Sequence, residues 1–326
     1  MTEKILVTGG CGFIGSNLVK RLLDEGYQVR IVDDLSSGSK KNIQSCLKQD
    51  SCEFFKGSII DSRFITKQLE GIDIIYHEAA KPDVRASTEH LLRDFDINVK
   101  GTLYLLQGMV KKDISKIIFA SSGGTVYGET EVIPTPETHP LSPISHYGAS
   151  KAACEQYLSS FSNLYDLEAV SLRLGNIFGP PSNKGVMYDF FWKLKASPKE
   201  LEILGNGKQV KSYLYVDDCV EAHVQALLKT FDGHESFNIS TSEGISVNEI
   251  ADEIVDAMEL TDVQYRYTGG ERGWAGDVRR AVADISKAEK DLDWKPEIAI
   301  RDGIRRYIAW LEKQEKPTLK KEKKGQ

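Results

Sequence analysis

No run of about twenty consecutive apolar residues occurs in the sequence, so no segment reads as a membrane span. Basic charge is not in surplus either. The 42 lysines and arginines stand against 48 aspartates and glutamates, for a net charge of −6. That balance gives no reason to expect nucleic acid as a partner. Cysteine is sparse, at five residues in 326. Cys11, Cys46, Cys52, Cys154 and Cys219 are scattered, odd in number and never spaced as Cys-x-x-Cys. They suggest neither a disulfide framework nor a metal site, and each is expected as a small buried apolar group. The N-terminus enters an apolar run at Lys4, which is read as leaving no room for a signal peptide. A reduced, cytoplasmic protein is therefore the expectation. There is no internal repeat.

What is present is a core-forming content of 40% hydrophobic residues, and a length that suits two tightly joined domains. The first forty residues carry the strongest pattern. A short apolar run, Lys4 to Thr8, breaks at Gly9-Gly10-Cys11-Gly12-Phe13-Ile14-Gly15 and becomes helix-periodic through Leu18, Val19, Leu22 and Leu23. A second apolar run, Tyr27 to Val32, ends in Asp33-Asp34. Strand, glycine turn, helix and strand ending in an acid is the order a dinucleotide site requires. Gly9 allows the tight turn, Gly12 admits a pyrophosphate to the helix N-terminus with Phe13 and Ile14, and Gly15 lets that helix pack closely. Asp33 would accept hydrogen bonds from ribose hydroxyls and repel a 2′-phosphate. The expected cofactor is NAD rather than NADP.

Strand-like and helix-like runs alternate through the first half. Helices are expected near 62–69, 91–110 and 147–165, and strands near 52–55, 72–76, 116–120 and 169–173. This alternation predicts an α/β fold, a doubly wound parallel (Rossmann) sheet, with ligands beyond the carboxyl ends of its strands. After Asn176 the pattern loosens into glycine- and proline-marked turns with helices expected near 216–229, 247–258, 285–292 and 300–313. This half reads as a smaller C-terminal α/β substrate-binding cap. The division expected is 1–175 for the cofactor domain, with a return segment around 212–240, and 176–314 for the interleaved substrate domain. The lysine-rich tail 315–326 is expected to be disordered.

Tyr147-Gly148-Ala149-Ser150-Lys151 places a phenol and an ammonium four apart, on one helical face. A phenol pKa near 10 is too high for a base at neutral pH. A neighbouring ammonium and a cationic nicotinamide ring both favour the phenolate. Upstream, Ala120-Ser121-Ser122-Gly123-Gly124-Thr125-Val126-Tyr127-Gly128 supplies hydroxyls at a strand end.

Together the glycine turn, this strand end and the Tyr147/Lys151 pair resemble the extended short-chain dehydrogenase/reductases that act on nucleotide sugars (the NAD-dependent epimerase/dehydratase family). They are most like its UDP-glucose 4-epimerase group, and the resemblance runs to about Trp310. It implies an adenosine-binding loop at Asp34, Leu35, Ser37 and Gly38, an adenine contact at Ser58 and Ile59, and cofactor contacts from Ala79, Ala80, Asn98 and Ser121, with Tyr147 and Lys151. It implies substrate contacts from Val84, Ser122, Tyr147, Asn176, Lys211, Asp277 and Arg280. The family's usual catalytic hydroxyl falls on Gly123. Ser122 or Thr125 would then supply it, with Ser122 preferred. The usual adenine-contacting aspartate falls on Ser58, and the usual nucleotide-binding arginine on Lys211, which keeps the charge and loses the fork.

The activity implied is NAD-dependent epimerisation at C4 of a UDP-hexose through a transient 4-keto sugar, without net redox. UDP-N-acetylhexosamine and UDP-uronate 4-epimerases are alternatives. Dehydratases and decarboxylating relatives carry acids where Gly124 and Thr125 stand, and reductases usually use NADPH. A nucleotide-sensing protein without chemistry is the non-enzymatic alternative. The resemblance also implies a homodimer packed through the helices at 91–110 and 147–165.

Overall fold

The structure is a computed structural model and describes residues 3–81, 91–274 and 276–315. Its centre is a seven-stranded sheet. The first six strands along the chain are β1 (Lys4–Thr8), β2 (Gln28–Asp33), β3 (Cys52–Lys56), β4 (Ile74–His77), β5 (Lys116–Ser122) and β6 (Glu168–Leu174). The seventh is the strand His234–Ile239. Across the sheet the order is His234–Ile239, β6, β5, β4, β1, β2, β3. All six neighbouring pairs are parallel. The winding reverses between β1 and β4, the point at which such sheets open a crevice for ligand.

Alternation along the strands supplies both covered faces. Ile5 and Val7 of β1 pack with α1 (Phe13–Asp24) through Leu18, Val19 and Leu22, whereas Leu6 faces the opposite layer. That layer is built by α2 (Ser62–Gln68), α3 (Leu91–Asp94), a π-helical segment Phe95–Lys100, α4 (Gly101–Lys111), the short α5 (Gly123–Val126) and α6 (His146–Tyr165). The helix Val216–Leu228 packs beside α1. The sheet is thus doubly wound, as the alternation of runs implied.

The single helix expected over 91–110 runs to Lys111 and contains the π segment, which places the buried Asn98 at its centre. Two larger elements lie outside those expected from the sequence. Helix Val186–Ala196 is dense in aromatics, and the strand His234–Ile239 has polar residues at alternate positions. That strand is an edge strand. Glu137 accepts its Asn238 amide at 2.7 Å and Lys287 donates to its Ser236 carbonyl at 2.8 Å, which blunts the free edge.

Beyond β6 the chain builds small sheets. Val210–Lys211 lies between Ile245–Ser246 and Arg280–Ala281, and Asn176–Phe178 pairs with Tyr213–Tyr215. Helix Val247–Ala257 opens with a capping box from Ser246 and Glu249 and packs on helices Val186–Ala196 and Ile300–Leu311. All five cysteines are free, with Cys11, Cys46, Cys154 and Cys219 buried and Cys52 half-buried. Among the described residues no helix is long and apolar enough to cross a membrane. The expected disordered tail lies outside the described residues from 316 onward.

Candidate active site

The turn after β1 is held by close backbone contact. Gly9 has φ +69°, and a Cβ there would lie 2.7 Å from the Ala79 amide nitrogen at the end of β4. At Gly15 a Cβ would lie 2.4 Å from the Gly9 carbonyl oxygen, so α1 can start against the turn only with glycine. Gly12 is the N-cap of α1, and no side chain caps the helix. The first amides of α1, from Phe13 onward, therefore have no intrahelical acceptor and point their dipoles into the crevice, which fits a pyrophosphate.

Asp33, buried at the end of β2, accepts the Cys11 amide at 3.0 Å on Oδ2 and the Leu35 amide at 2.8 Å on Oδ1. Burial raises its pKa, against those two backbone bonds. Each oxygen keeps a second lone pair for a ribose hydroxyl. Asp34 accepts the Ser36 amide at 2.8 Å, forming the loop that carries the exposed Ser37 and half-buried Gly38. Ser58 is half-buried, while Ile59 sinks into the core, and a Cβ on Gly101 would lie 2.6 Å from its Cδ1. The Ile59 side chain is therefore core rather than crevice lining.

At the end of β4, His77 is fully buried. Its Nδ1 lies 2.8 Å from Thr8 Oγ1 and its Nε2 2.8 Å from Thr102 Oγ1. Thr102 donates its own hydroxyl to the Asn98 carbonyl at 2.5 Å, so Nε2 is the protonated nitrogen of a neutral imidazole. Burial, with Lys151 nearby, pulls its pKa down to about 3. Thr8 also accepts the Ala79 amide at 3.2 Å, and Ala80 follows, half-buried, at the same strand end. Asn98 accepts the Lys81 amide at 2.9 Å and donates to Ser150 at 2.9 Å, which ties the segment after β4 to α6.

Tyr147 and Lys151 sit in the first turns of α6, where Ser145 caps the helix by accepting the Gly148 amide. A Cβ on Gly148 would lie 2.6 Å from the Thr125 carbonyl, so glycine lets this turn approach α5. Lys151 is buried, donates to the Ala120 carbonyl at 2.7 Å, and lies 6.0 Å from the centre of the Tyr147 ring. Burial lowers its pKa, while Cys154, Glu78 and Glu155 act in the other direction. Burial raises the Tyr147 phenol above its ordinary value, and a hydrogen bond with Ser122 opposes that. Thr125 donates to Ser122 at 2.8 Å, so the two candidate hydroxyls are joined to each other at the end of β5. A Cβ on Gly123 would stand 2.8 Å from the Arg173 carbonyl oxygen, which leaves no room for a side chain there.

On the cap side, Asn176 and Arg280 line one cavity with Gly123, Gly124 and Tyr127. The Arg280 side chain is exposed at this mouth. Lys211 and Asp277 are turned toward each other, with Nζ 2.5 Å from Oδ1. The Lys211 charge is thus matched by Asp277, the other of the two residues here that the resemblance assigns to the substrate. Val84 lies outside the described residues.

A buried acid outside the expected site residues, Glu155, lies beside Ser121. Glu155 is bound by Arg173, which also donates to the Tyr127 hydroxyl at 2.9 Å. The available signal was spacing, since Glu155 continues the Tyr147, Lys151 row by one more helical step.

A family model described as the NAD dependent epimerase/dehydratase family matches residues 5–240. The chain is 39% identical over 319 residues to a putative UDP-glucose 4-epimerase of Methanocaldococcus jannaschii, covering 94% of this chain and 98% of that one. It is similar to the structure of Thermotoga maritima UDP-glucose 4-epimerase with UDP-glucose, at TM-score 0.88 and 35% identity over 95% of this chain and 99% of that one. It is also similar to a UDP-N-acetylglucosamine 4-epimerase of Methanobrevibacter ruminantium M1 in complex with UDP-N-acetylmuramic acid. There the TM-score is 0.87 at 30% identity, over 96% and 99% of the two chains.

Proposed function

The chain belongs to the NAD-dependent epimerase/dehydratase family, and on that premise we propose that it inverts C4 of a UDP-hexose, interconverting the glucose and galactose configurations. The observation that carries this reading is the joined Thr125–Ser122 hydroxyls at the carboxyl end of β5, with Tyr147 and the buried Lys151 on the adjoining first turns of α6. An uncapped helix N-terminus, Gly12 and Asp33 fit NAD, with Ala79, Ala80 and Asn98 on the nicotinamide side. Bound NAD supplies a hydride acceptor and, once reduced, the donor that returns the hydride to the other face of the sugar.

The chain's own groups do the rest. Tyr147 takes the proton of the C4 hydroxyl and gives it back after the 4-keto sugar has turned. Lys151 lowers the cost of the phenolate by its charge. Ser122, supported by Thr125, hydrogen-bonds the C4 oxygen and holds it near the phenol. Asn176 and Arg280 hold the nucleotide diphosphate while the sugar turns. We assign 1–175 with the return segment to the cofactor and 176–314 to the nucleotide sugar.

An N-acetylated sugar is the second reading, favoured by the similarity to the N-acetylglucosamine epimerase. Elimination of water is disfavoured, since Gly124 and Thr125 offer no acid–base pair beside Ser122. We also assign a homodimer to the faces of α3, the π segment and α6, where Leu92, Phe95, Tyr157, Leu164 and Tyr165 are exposed.

The test is NMR of the purified protein with UDP-glucose and catalytic NAD. An equilibrium mixture with UDP-galactose and no accumulating NADH supports the reading. Turnover of UDP-N-acetylglucosamine alone moves the substrate to the second reading, and a 4-keto dehydrated product overturns epimerisation.

A further inference from the structure

The active-site helix is fastened to the sheet at three successive levels. The Ser122 hydroxyl eases ionisation of the Tyr147 phenol, Lys151 donates to the Ala120 carbonyl, and Glu155 accepts the hydroxyl of Ser121. The three helix residues are four apart and so form one row along α6, and their three partners are consecutive residues of β5. The third level differs from the others in being locked from the far side. Arg173 of β6 grips both oxygens of the Glu155 carboxylate, with Nη2 at 2.7 Å from Oε2 and Nε at 3.0 Å from Oε2 and 3.2 Å from Oε1. Both side chains are buried, at 1% exposure for Glu155 and 7% for Arg173. Arg173 then reaches Tyr127, immediately after α5, and the Glu137 carbonyl at 3.0 Å. Tyr127 passes the connection to Asn238 of the edge strand at 2.7 Å.

We propose that Glu155 and Arg173 are positioning residues, whose buried pair sets the height and rotation of α6 on β5 and β6 and so holds Tyr147 and Lys151 in reach of the reacting oxygen. A pair of this kind is poor value as a general stabiliser, because desolvating two charges offsets most of their attraction. A bidentate fork does fix an angle and a distance, and this one joins the reaction helix to the two strands whose ends hold Ser122 and Asn176. The alignment matters because a displacement of about 1 Å at a reacting group costs about a hundredfold in rate. The inference rests on Tyr147 being the base.

The experiment compares Glu155→Gln with the double variant Glu155→Met, Arg173→Met, which removes both charges at similar volume. Rates are expressed per folded molecule, from near-ultraviolet circular dichroism at the assay temperature. Both variants are expected to lose about a hundredfold in kcat, with KM and bound NAD within about twofold of the parent. Glu155→Gln leaves Arg173 unpaired, and the added positive charge shifts both limbs of its pH profile to lower pH. The double variant leaves the limbs in place. The other groups facing Tyr147 and Lys151 are Glu78 from the end of β4, Asp94 from α3 and Cys154 from α6, with His77 close to Lys151. All of them are unchanged in both variants.

The phenolate difference spectrum, parent minus Tyr147→Phe, reads Tyr147 without any turnover, and Glu155→Gln is expected to lower its midpoint. If Tyr147→Phe stays active while that midpoint still moves, the base reading fails and the coupling stands. Per-molecule kcat within about twofold of the parent in both variants overturns the proposal, as does failure of both to fold, which would make the pair structural.

Discussion

Lys211 and Asp277 hold each other, with the ammonium 2.5 Å from a carboxylate only 3% exposed, and the Trp274 ring lies 5.1 Å from the same ammonium. Removing one charge of a buried pair leaves the other uncompensated. Lys211→Met is therefore expected to cost about 3 to 5 kcal/mol of stability, read from urea unfolding. Arg280 is the exposed cation at the cavity that Asn176 also lines. Arg280→Ala is expected to weaken UDP binding about tenfold to a hundredfold in calorimetry while leaving the unfolding midpoint near the parent's. The opposite pattern would return the diphosphate to Lys211.

Without cofactor, burial holds the Tyr147 phenol above its ordinary value of 10.0. A cationic nicotinamide ring beside it favours the phenolate. Its midpoint, followed by phenolate absorption against a Tyr147→Phe blank, is expected to fall when NAD is added. Tyr147→Phe is expected to keep NAD and lose roughly a hundredfold to ten-thousandfold in kcat.

His77 and His223 pull stability in opposite directions with pH. Burial lowers His77 from 6.5 to about 3, so the unfolded chain takes up the extra proton between those values and stability falls as pH drops through that window. His223 lies 3.2 Å from Glu78, and its pKa is held well above 6.5 against burial by that carboxylate and a bond to Cys219. Its contribution is full below 6.5 and is lost as pH rises through the raised value. In urea unfolding from about pH 5 to about pH 8, His77→Gln is expected to flatten the dependence below 6.5 and His223→Gln the dependence above it, each by at most about 1.4 kcal/mol per pH unit.

At Gly15 a methyl group would stand 2.4 Å from the Gly9 carbonyl, which is backbone and cannot rotate away. Gly15→Ala is expected to cost about 1 to 3 kcal/mol and to abolish retention of NAD on gel filtration. Gly26→Ala provides a control, since nothing lies within 4 Å of that Cβ, although its φ of +90° carries a local strain.

The first half of the fold was legible because each of its elements is a local pattern. β1, the glycine turn, α1 and β2 announce themselves through apolar runs, glycines and an acid at fixed spacing, and the Tyr147/Lys151 pair needs only helical periodicity to share a face. Helix Val186–Ala196 was not anticipated although its buried Met187, Phe190, Phe191 and Leu194 recur at helical spacing, because it is short and lies among the glycine- and proline-marked turns of the cap. Neither was the strand His234–Ile239, whose polar residues serve partners as distant as Glu137 and Lys287.

The sequence by itself determined the doubly wound sheet, the cofactor turn and the row of chemistry-bearing residues on α6, because those depend on spacing along one chain. Only the tertiary structure decided which partner each side chain takes. It paired Lys211 with Asp277 across 66 residues, and Glu155 with Arg173 on a separate strand. It also joined Thr125 to Ser122 where a backbone carbonyl of β6 leaves no room beside Gly123. Charge matching and steric exclusion at close range are properties of folded neighbours, and no periodicity in the sequence encodes them.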